Sequence, residues 1–249
     1  SLHSTVGWSL TGTVIGRRYV IEGELGAGGS GTAYRVWDRV RQRSVALKLL
    51  DEISPAMVEL HRSEFSLLRG VVHPNLLRVF DYGLHRLDGS LRPFYTSELV
   101  EGETLRVWAR GRRWSQLKIP LTTALHGLAF IHRLGIRHGD VAPENILVRA
   151  DGSAVLIDFS ASHRMEEATG DVGVSGRPGF LAPEVLEGGG DLRADLFAFG
   201  VTLKQLAREL TDGLPRKVSA IVNALTRANP KGRPSSVEEL CLSLGFPAP

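Results

Sequence analysis

The chain contains 249 residues, of which 43% are hydrophobic and 23% are charged. This composition is that of a folded globular protein, and it excludes the disordered, collagen-like and disulfide-rich classes. No apolar run approaches the roughly 18–20 residues that a transmembrane helix needs, so we expect no membrane segment. Cys241 is the single cysteine, which excludes an internal disulfide and favours a reducing, cytoplasmic location.

Basic residues outnumber acidic residues by 30 to 27, which gives a net charge of +3. Short arginine clusters such as Arg17-Arg18 are a feature of some nucleic-acid-binding proteins. Acidic residues are interleaved with them throughout the chain, however, and no basic stripe carries stacking aromatic residues. We therefore expect no nucleic-acid partner.

The first 98 residues are dominated by strand-like patterns. Alternating or apolar segments predict strands at Tyr19–Leu25, Ala33–Asp38, Val45–Leu50, Leu76–Tyr82 and Pro93–Glu98. One helical segment, Met57–Arg69, lies between them and has its apolar residues roughly on one face. Together these elements predict a small antiparallel sheet with one helix.

After Gly102 the pattern changes to helix. Helical spacing of apolar residues predicts helices at Ser115–Leu134, Ala194–Leu210, Pro215–Ala228 and Ser235–Leu244. The last of these begins with Ser235-Ser236 and two glutamates, the pattern of an N-cap followed by first-turn acids. The sequence thus predicts a larger, mainly helical part, joined to the first near Glu98–Gly102.

A glycine motif of the form G-x-G-x-x-G spans Gly26–Gly31, directly after a predicted strand. Glycines let backbone N–H groups approach phosphate oxygens closely, because no Cβ stands in the way. A tight hairpin turn could use the same residues, and a dinucleotide-binding fold would need a helix to follow. Because Thr32–Val36 continues as a strand, the context favours a loop that closes over phosphates.

Lys48 ends an apolar strand, and Glu64 lies 16 residues further along on the predicted helix. A lysine at such a position often only extends its amine to solvent. Pairing with a glutamate would instead hold the ammonium group toward bound phosphates.

Three oxygen-bearing side chains follow in the second half, at Asp140, Asn145 and Asp158. Carboxylate and amide oxygens suit Mg²⁺ that already carries phosphates and water. Each residue alone could be a turn or capping residue, since Asp and Asn favour those positions. All the signals in this one order indicate a phosphate- and metal-dependent site.

These motifs, with Ala182-Pro183-Glu184, resemble those of the eukaryotic-like (bacterial Hanks-type) Ser/Thr protein kinase family, from about Gly16 to Leu244. The resemblance implies an α+β, two-lobed kinase fold. Residues 1–98 would form the N-lobe with its small antiparallel sheet and one helix, and residues 99–249 the mainly helical C-lobe. It also implies that Glu184 pairs with Arg233 and that Asp195 supports the catalytic loop.

The resemblance further implies ATP and Mg²⁺ as cofactors and a protein as substrate or signalling partner. Asp140 would accept the proton of the substrate hydroxyl, Lys48 oriented by Glu64 would hold the α- and β-phosphates, and Asn145 and Asp158 would hold Mg²⁺. The other nucleotide contacts would come from Leu25, Gly26, Gly28, Gly31, Ala33, Ala46, Ser97, Glu98, Val100, Glu103 and Leu147.

The chain departs from the family pattern at four places. Gly139 stands where the family has an arginine, Ala142 where it has a lysine, and Ser160 where it has a glycine. A helix that usually follows the one ending near Leu210 is expected to be missing, because only Thr211–Leu214 would separate two predicted helices.

Two alternative functions follow from these departures and from the catalytic-loop sequence. A pseudokinase would act as a nucleotide-binding or scaffolding module without phosphoryl transfer. A small-molecule phosphotransferase is the third hypothesis, because His138–Asn145 also resembles aminoglycoside-type kinases. The Ala182-Pro183-Glu184 motif and Arg233 favour a peptide substrate over a small molecule.

Overall fold

The computed structural model describes residues 10–28, 31–50, 58, 62, 65–87, 89–159, 161–165 and 176–249. The chain divides into two compact units, one formed by Ser1–Arg69 with Arg78–Leu99 and the other by Gly70–Leu77 with Val100–Pro249. The first unit carries an antiparallel sheet and the second carries most of the helices, which confirms the predicted α+β, two-lobed class. Gly29, Ser30, Glu64 and Ser160 lie outside the described residues.

The first unit contains one six-stranded antiparallel sheet with the order β1-β2-β3-β4-β6-β5. Its strands are β1 (Val14–Ile15), β2 (Tyr19–Gly28), β3 (Gly31–Asp38), β4 (Arg43–Leu50), β5 (Val79–Leu87) and β6 (Ser90–Ser97). All five predicted strands have a counterpart, but the one predicted at Leu76–Tyr82 begins at Val79. Residues 65–68 are helical, within the predicted Met57–Arg69 segment.

The two faces of this sheet differ because successive side chains of a strand point to opposite sides. One face forms the core of the unit, with Ile21, Val36, Val45, Leu47 and Phe94 all less than 5% exposed. The residues between them, including the predicted nucleotide-binding ones on β3 and β4, lie on the opposite face.

The second unit contains six α-helices and five short strands among its described residues. The helices are α1 (Leu105–Ala109), α2 (Lys118–Arg133), α3 (Pro183–Leu186), α4 (Arg193–Leu206), α5 (Arg216–Leu225) and α6 (Val237–Leu244). The strands are β7 (Glu103–Thr104), β8 (Ile136–Arg137), β9 (Ile146–Val148), β10 (Ala154–Leu156) and β11 (His163–Arg164), in sheets of order β10-β9-β7 and β11-β8. None of the helices described for the chain has the length and apolar character required to span a bilayer.

The predicted helices exist, with corrected ends. The one predicted to start at Ser115 begins with a 3₁₀ turn, and the one predicted to reach Leu210 ends at Leu206 in a turn. Residues 207–215 contain turns and coil, so the described chain has no helix between α4 and α5, as the sequence predicted. At α6 the capping residue is Ser236, whose hydroxyl accepts a hydrogen bond from the backbone N–H of Glu239.

Residues Gly70–Leu77 belong to the second unit although they lie between segments of the first. The backbone N–H of Leu77 donates to Leu156 O, and the N–H of Leu156 donates to Asn75 O. Each of these hydrogen bonds is 2.9 Å long. The amide nitrogen of Asn75 donates to Ala154 O over 2.8 Å. This pairing with β10 explains why the strand predicted to begin at Leu76 starts later. The expected division into domains at residue 98 stays a prediction.

Candidate active site

The buried carboxylate of Asp195, at the start of α4, holds the loop that contains Asp140. Its Oδ2 atom accepts a hydrogen bond from the backbone N–H of His138 at 2.8 Å, and its Oδ1 atom accepts one from Gly139 at 2.9 Å. His132 Nε2 also lies 2.8 Å from Oδ2. Burial by itself would raise the pKa of Asp195, but the hydrogen bonds from His132 and the backbone lower it below its ordinary value. The expected supporting role of Asp195 is therefore confirmed by the geometry.

Gly139 has a backbone conformation that only glycine adopts readily. Its φ angle is +84°, and a Cβ atom added there would lie 2.3 Å from the carbonyl oxygen of Ala161. A side chain cannot occupy that space unless the neighbouring backbone moves. In the conformation that this loop adopts, the arginine of the family pattern would therefore clash with Ala161.

Other contacts fix the loop on both sides of Asp140. The ring of His138 is buried and packs on Phe159 with 4.7 Å between ring centroids. Thr202 of α4 donates its hydroxyl to the backbone oxygen of Val141 at 2.7 Å. Because the ring of His138 is desolvated, its pKa is lowered below the ordinary value of a histidine. The loop is therefore held by helix α4 and by the aromatic ring beneath it.

The two carboxylate oxygens of Asp140 differ in their contacts. The amide nitrogen of Asn145 donates to Asp140 Oδ2 at 2.7 Å and to its backbone oxygen at 3.0 Å. The buried Oδ1 atom has no hydrogen-bond partner among the described residues. Burial raises the pKa of Asp140, and the guanidinium of Arg177 is the strongest opposing influence. This arrangement leaves an oriented acceptor with raised proton affinity.

A backbone hydrogen bond joins the segments that carry Asn145 and Asp158. The N–H of Ile157, the residue before Asp158, donates to Asn145 O at 2.9 Å, and Asp158 itself has a φ angle of +59°. Because the amide nitrogen of Asn145 is used by Asp140, its amide oxygen is the atom left for a metal. No three His, Cys, Asp or Glu side chains within the described ranges could hold a metal by themselves. These two oxygen donors fit Mg²⁺ that is bound chiefly through substrate phosphates.

Arg177 lies next to Asp140 and was not among the predicted site residues. Its Nη2 atom is 3.7 Å from Asp140 Oδ2, and its Nη1 atom donates to Glu144 Oε2 at 2.6 Å. The other carboxylate oxygen of Glu144 accepts a hydrogen bond from Arg106 Nε. No local pattern in the sequence pointed to it, because Arg177 is far from Asp140 along the chain and meets it only in the folded protein.

In the first unit, three predicted nucleotide-binding residues lie in one row across the sheet. Ala33 of β3 pairs with Gly26 of β2 on one side and with Lys48 of β4 on the other. Gly28 and Gly31 form the last described pair of the hairpin, and a Cβ at Gly31 would lie 2.3 Å from Leu49 O. Leu25, also predicted, is half exposed on β2.

Ala46 and Ser97 form a second row, and Ala46 lies two residues before Lys48 on β4. They are direct partners on β4 and β6, and Ser97 is only 4% exposed. The Ser97 hydroxyl donates to Glu98 O at 3.2 Å, while the backbone N–H of Glu98 donates to Arg78 O at 2.9 Å. The register therefore gathers the predicted residues of β3, β4 and β6 on one face.

The remaining predicted nucleotide residues belong to the second unit. Glu103 and Leu147 lie on the neighbouring strands β7 and β9, where Thr104 pairs with Leu147 and Glu103 with Val148. Val100 precedes β7 and is half-buried. Because Glu103 pairs with Val148, the residue next to Leu147, the side chains of Glu103 and Leu147 lie on opposite faces of this small sheet.

Glu184 and Arg233 form the ion pair that the sequence led us to expect. Arg233 Nη1 and Nη2 donate to the two oxygens of Glu184 at 2.6 and 2.8 Å, and the arginine side chain is fully buried. Arg233 also donates to the backbone oxygens of Arg227, Ala228 and Arg193. The pair ties α3 to the segment before α6.

Comparison with known proteins adds independent information. The family model described as the protein kinase domain matches residues 19–214. Serine/threonine-protein kinase PknL of Mycobacterium tuberculosis (strain CDC 1551 / Oshkosh) is 32% identical over 260 aligned residues, which cover 90% of this chain and 64% of that protein. The DNA damage-responsive serine/threonine-protein kinase RqkA of Deinococcus radiodurans is 33% identical over 211 residues, or 79% of this chain and 30% of that protein. The chain thus spans less than two thirds of the length of these relatives.

Proposed function

The chain belongs to the protein kinase family, and we propose that it transfers the γ-phosphoryl group of ATP to serine or threonine hydroxyls of a protein. One observation carries the proposal beyond the family: the buried Oδ1 atom of Asp140 is an acceptor without a partner among the described residues. An unsatisfied buried carboxylate oxygen is costly to maintain unless a ligand uses it. This oxygen would accept a hydrogen bond from the hydroxyl group of the substrate.

In this proposal the loop residues position the hydroxyl and take up its proton. The amide nitrogen of Asn145 donates to Oδ2 of Asp140, and this hydrogen bond fixes the orientation of the carboxylate and therefore of Oδ1. The raised pKa of Asp140, which follows from its burial, makes the carboxylate a better proton acceptor than an exposed aspartate. Asp195 keeps this geometry fixed before substrate arrives, which lowers the cost of orienting the groups.

Asn145 and Asp158 would hold Mg²⁺, and Lys48 oriented by Glu64 would hold the α- and β-phosphates. Bound Mg²⁺ would neutralise charge on the phosphate oxygens. The nucleotide base would lie against Ala33, Ala46 and Leu147, with backbone groups of Glu98 and Val100 as its hydrogen-bond partners. Leu25, Gly26, Gly28, Gly31, Ser97 and Glu103 complete the proposed nucleotide contacts.

The relatives named above are serine/threonine-protein kinases, and none of the comparisons supports a pseudokinase. The Glu184–Arg233 pair favours a protein substrate over a small molecule, since the sequence resemblance links that pair to peptide-substrate kinases. We propose a protein partner, as the family resemblance implies, and a cytoplasmic setting, because a single cysteine favours a reducing compartment.

The proposal is tested by incubating the purified chain with labelled ATP, Mg²⁺ and casein as a general acceptor. We expect transfer by the wild type and a loss of at least about 100-fold in Asp140→Asn and in Asp158→Asn. Asp151→Asn is the matched control, because Asp151 is exposed and its carboxylate accepts, among the described residues, hydrogen bonds from the backbone N–H and hydroxyl of Ser153. Stabilisation by Mg-ADP without any transfer by the wild type would contradict the proposal.

A further inference from the structure

We infer that Arg177 supplies the positive charge that stabilises the γ-phosphoryl group during its transfer, and that Glu144 positions it. This inference rests on the proposed function, because it assigns a role within the same reaction. Phosphoryl transfer spreads negative charge over the oxygens of the moving group, and a cation fixed in place beforehand lowers that barrier.

The loop itself offers no cation for this purpose. Ala142, two residues after Asp140, is fully buried and carries no charge. Glu144, the next ionisable residue, is an acid. Among the described residues, Arg177 is the single cation that forms an ion pair with Asp140.

The position of Arg177 suits contact with a phosphoryl group. Its Nη2 atom lies 3.7 Å from Asp140 Oδ2, which is close for two charges but too long for a hydrogen bond. Nη2 makes no hydrogen bond with any residue in the described ranges, so its N–H groups are left to donate to another acceptor. A guanidinium presents such donors in a planar fork that matches phosphate oxygens. The side chain is 37% exposed, so a substrate can reach it.

Glu144 and Arg106 hold the guanidinium in this orientation. Glu144 accepts from Arg177 Nη1 through one oxygen and from Arg106 Nε through the other. Arg106 is itself anchored by Gln205 of α4 and lies 3.5 Å from Glu209. Arg106 already compensates the negative charge of Glu144. The positive charge of Arg177 is therefore not cancelled by Glu144 and can act beside Asp140.

A purely structural role is the competing explanation, in which Arg177 only ties its loop to Glu144. The two roles differ in what they predict for ADP, which lacks the transferred group. A catalytic Arg177 affects the transfer rate and leaves ADP affinity and folding unchanged. A structural Arg177 affects folding and ADP affinity together with the rate.

The experiment compares Arg177→Gln, Arg177→Lys and wild type in single-turnover transfer at saturating Mg-ATP. We expect Arg177→Gln to reduce the rate about 100-fold, the effect typical of removing one preorganised donor. Arg177→Lys should recover at least a tenth of the wild-type rate, because it restores the charge without the fork. Arg133→Gln is the control, since Arg133 is 53% exposed and its ion pair among the described residues is with Glu238 at 3.9 Å rather than with Asp140 or Glu144.

Two further measurements separate the explanations. ADP affinity and the thermal midpoint of Arg177→Gln should stay within about threefold and a few degrees of the wild type. Methylguanidinium at millimolar concentration should increase the rate of Arg177→Ala but not of the wild type. Glu144→Gln should lower the single-turnover rate with little change in ADP affinity, and by less than Arg177→Gln does.

Several outcomes would overturn the inference. An Arg177→Gln rate within threefold of an active wild type would remove Arg177 from the reaction while leaving the proposed function intact. Parallel loss of rate, ADP affinity and stability in both Arg177→Gln and Arg177→Lys, without rescue by methylguanidinium, would assign it a structural role. A wild type that transfers nothing would overturn the proposed function and this inference with it.

Discussion

The backbone N–H of Gly139 donates a hydrogen bond of 2.9 Å to Asp195 Oδ1. The buried carboxylate therefore binds the loop at the residue whose positive φ angle disfavours any side chain. Asp195 accepts the neighbouring N–H of His138 as well. Any change that shifts the backbone at Gly139 is therefore transmitted to Asp195 and, through the loop, to Asp140.

Gly139→Ala should destabilise the protein and reduce transfer. A left-handed φ of +84° costs a non-glycine residue on the order of 1–3 kcal/mol, and the contact of 2.3 Å with Ala161 O adds to it. Gly213→Ala is the control, because Gly213 has a φ of +61° but open space around its Cβ position. The measurement is chemical denaturation, and equal losses of unfolding free energy in the two variants would contradict the steric argument.

Ala142→Lys should raise the single-turnover rate by no more than a few-fold and should lower the thermal midpoint. Ala142 is fully buried, and placing an ammonium group there carries a desolvation cost. Arg177 already provides a charge beside Asp140. A gain of tenfold or more, with unchanged stability, would show that the site lacks a cation and that Arg177 does not supply it.

The acid limb of the rate profile should move to higher pH in Arg177→Gln. Burial raises the pKa of Asp140, and the charge of Arg177 is the main influence that opposes this rise. The proton acceptor must be ionised, so the rate falls as the pH drops through its pKa, and removing Arg177 raises that pKa. The profile of Arg177→Lys should stay close to that of the wild type. A shift of the limb to lower pH in Arg177→Gln would refute this reading.

Arg233→Ala should be among the most destabilising single changes in the second unit. The fully buried guanidinium satisfies both oxygens of Glu184, and its removal leaves a carboxylate without its partner. Losses of about 3–5 kcal/mol are typical for breaking such a pair. The double variant Arg233→Ala with Glu184→Gln should lose less than the sum of the single changes, as measured by denaturation. Strict additivity would mean that the two residues do not interact.

Ser97→Met should reduce the affinity of inhibitors whose bulky apolar groups are directed at this position, while ATP affinity changes little. Ser97 is 4% exposed and lies opposite Ala46, so its small side chain sets how much space is left beside β4. Titration calorimetry with ATP and with a matched pair of inhibitors, one carrying the bulky group, measures both effects. Equal losses for ATP and for the inhibitors would place Ser97 elsewhere in the site.

The roles of Asp140, Asn145 and Asp158 were predicted from the order of their motifs along the chain and stay predictions. The ion pair between Glu184 and Arg233, which the family resemblance implied, is present in the structure. The strands of the first unit were found because alternation within a strand is a local property.

The contacts that could not be predicted join residues far apart in the sequence. Arg177 meets Asp140 and Glu144 only because their loops fold together, and no spacing rule connects them. The apolar side chain of Leu76 led to the prediction that a strand starts there. In the structure, the backbone groups of the adjacent residues Asn75 and Leu77 pair with Leu156 instead. Which partner a backbone group pairs with is decided by the tertiary fold, so the local sequence pattern could not predict it.

The placement of residues 70–77 in the second unit bears on how this protein can be cut for biochemical work. The chain passes between the units three times, after residues 69, 77 and 99, so no single cut separates them. A fragment of residues 1–98 would carry Asn75 and its neighbours without β10, while the complementary fragment would leave the N–H of Leu156 and the oxygen of Ala154 without their bonds. Either piece would expose unpaired backbone that promotes aggregation. Removing one unit by truncation is therefore a poor way to study the other, and an uncut chain with point substitutions is the appropriate reagent.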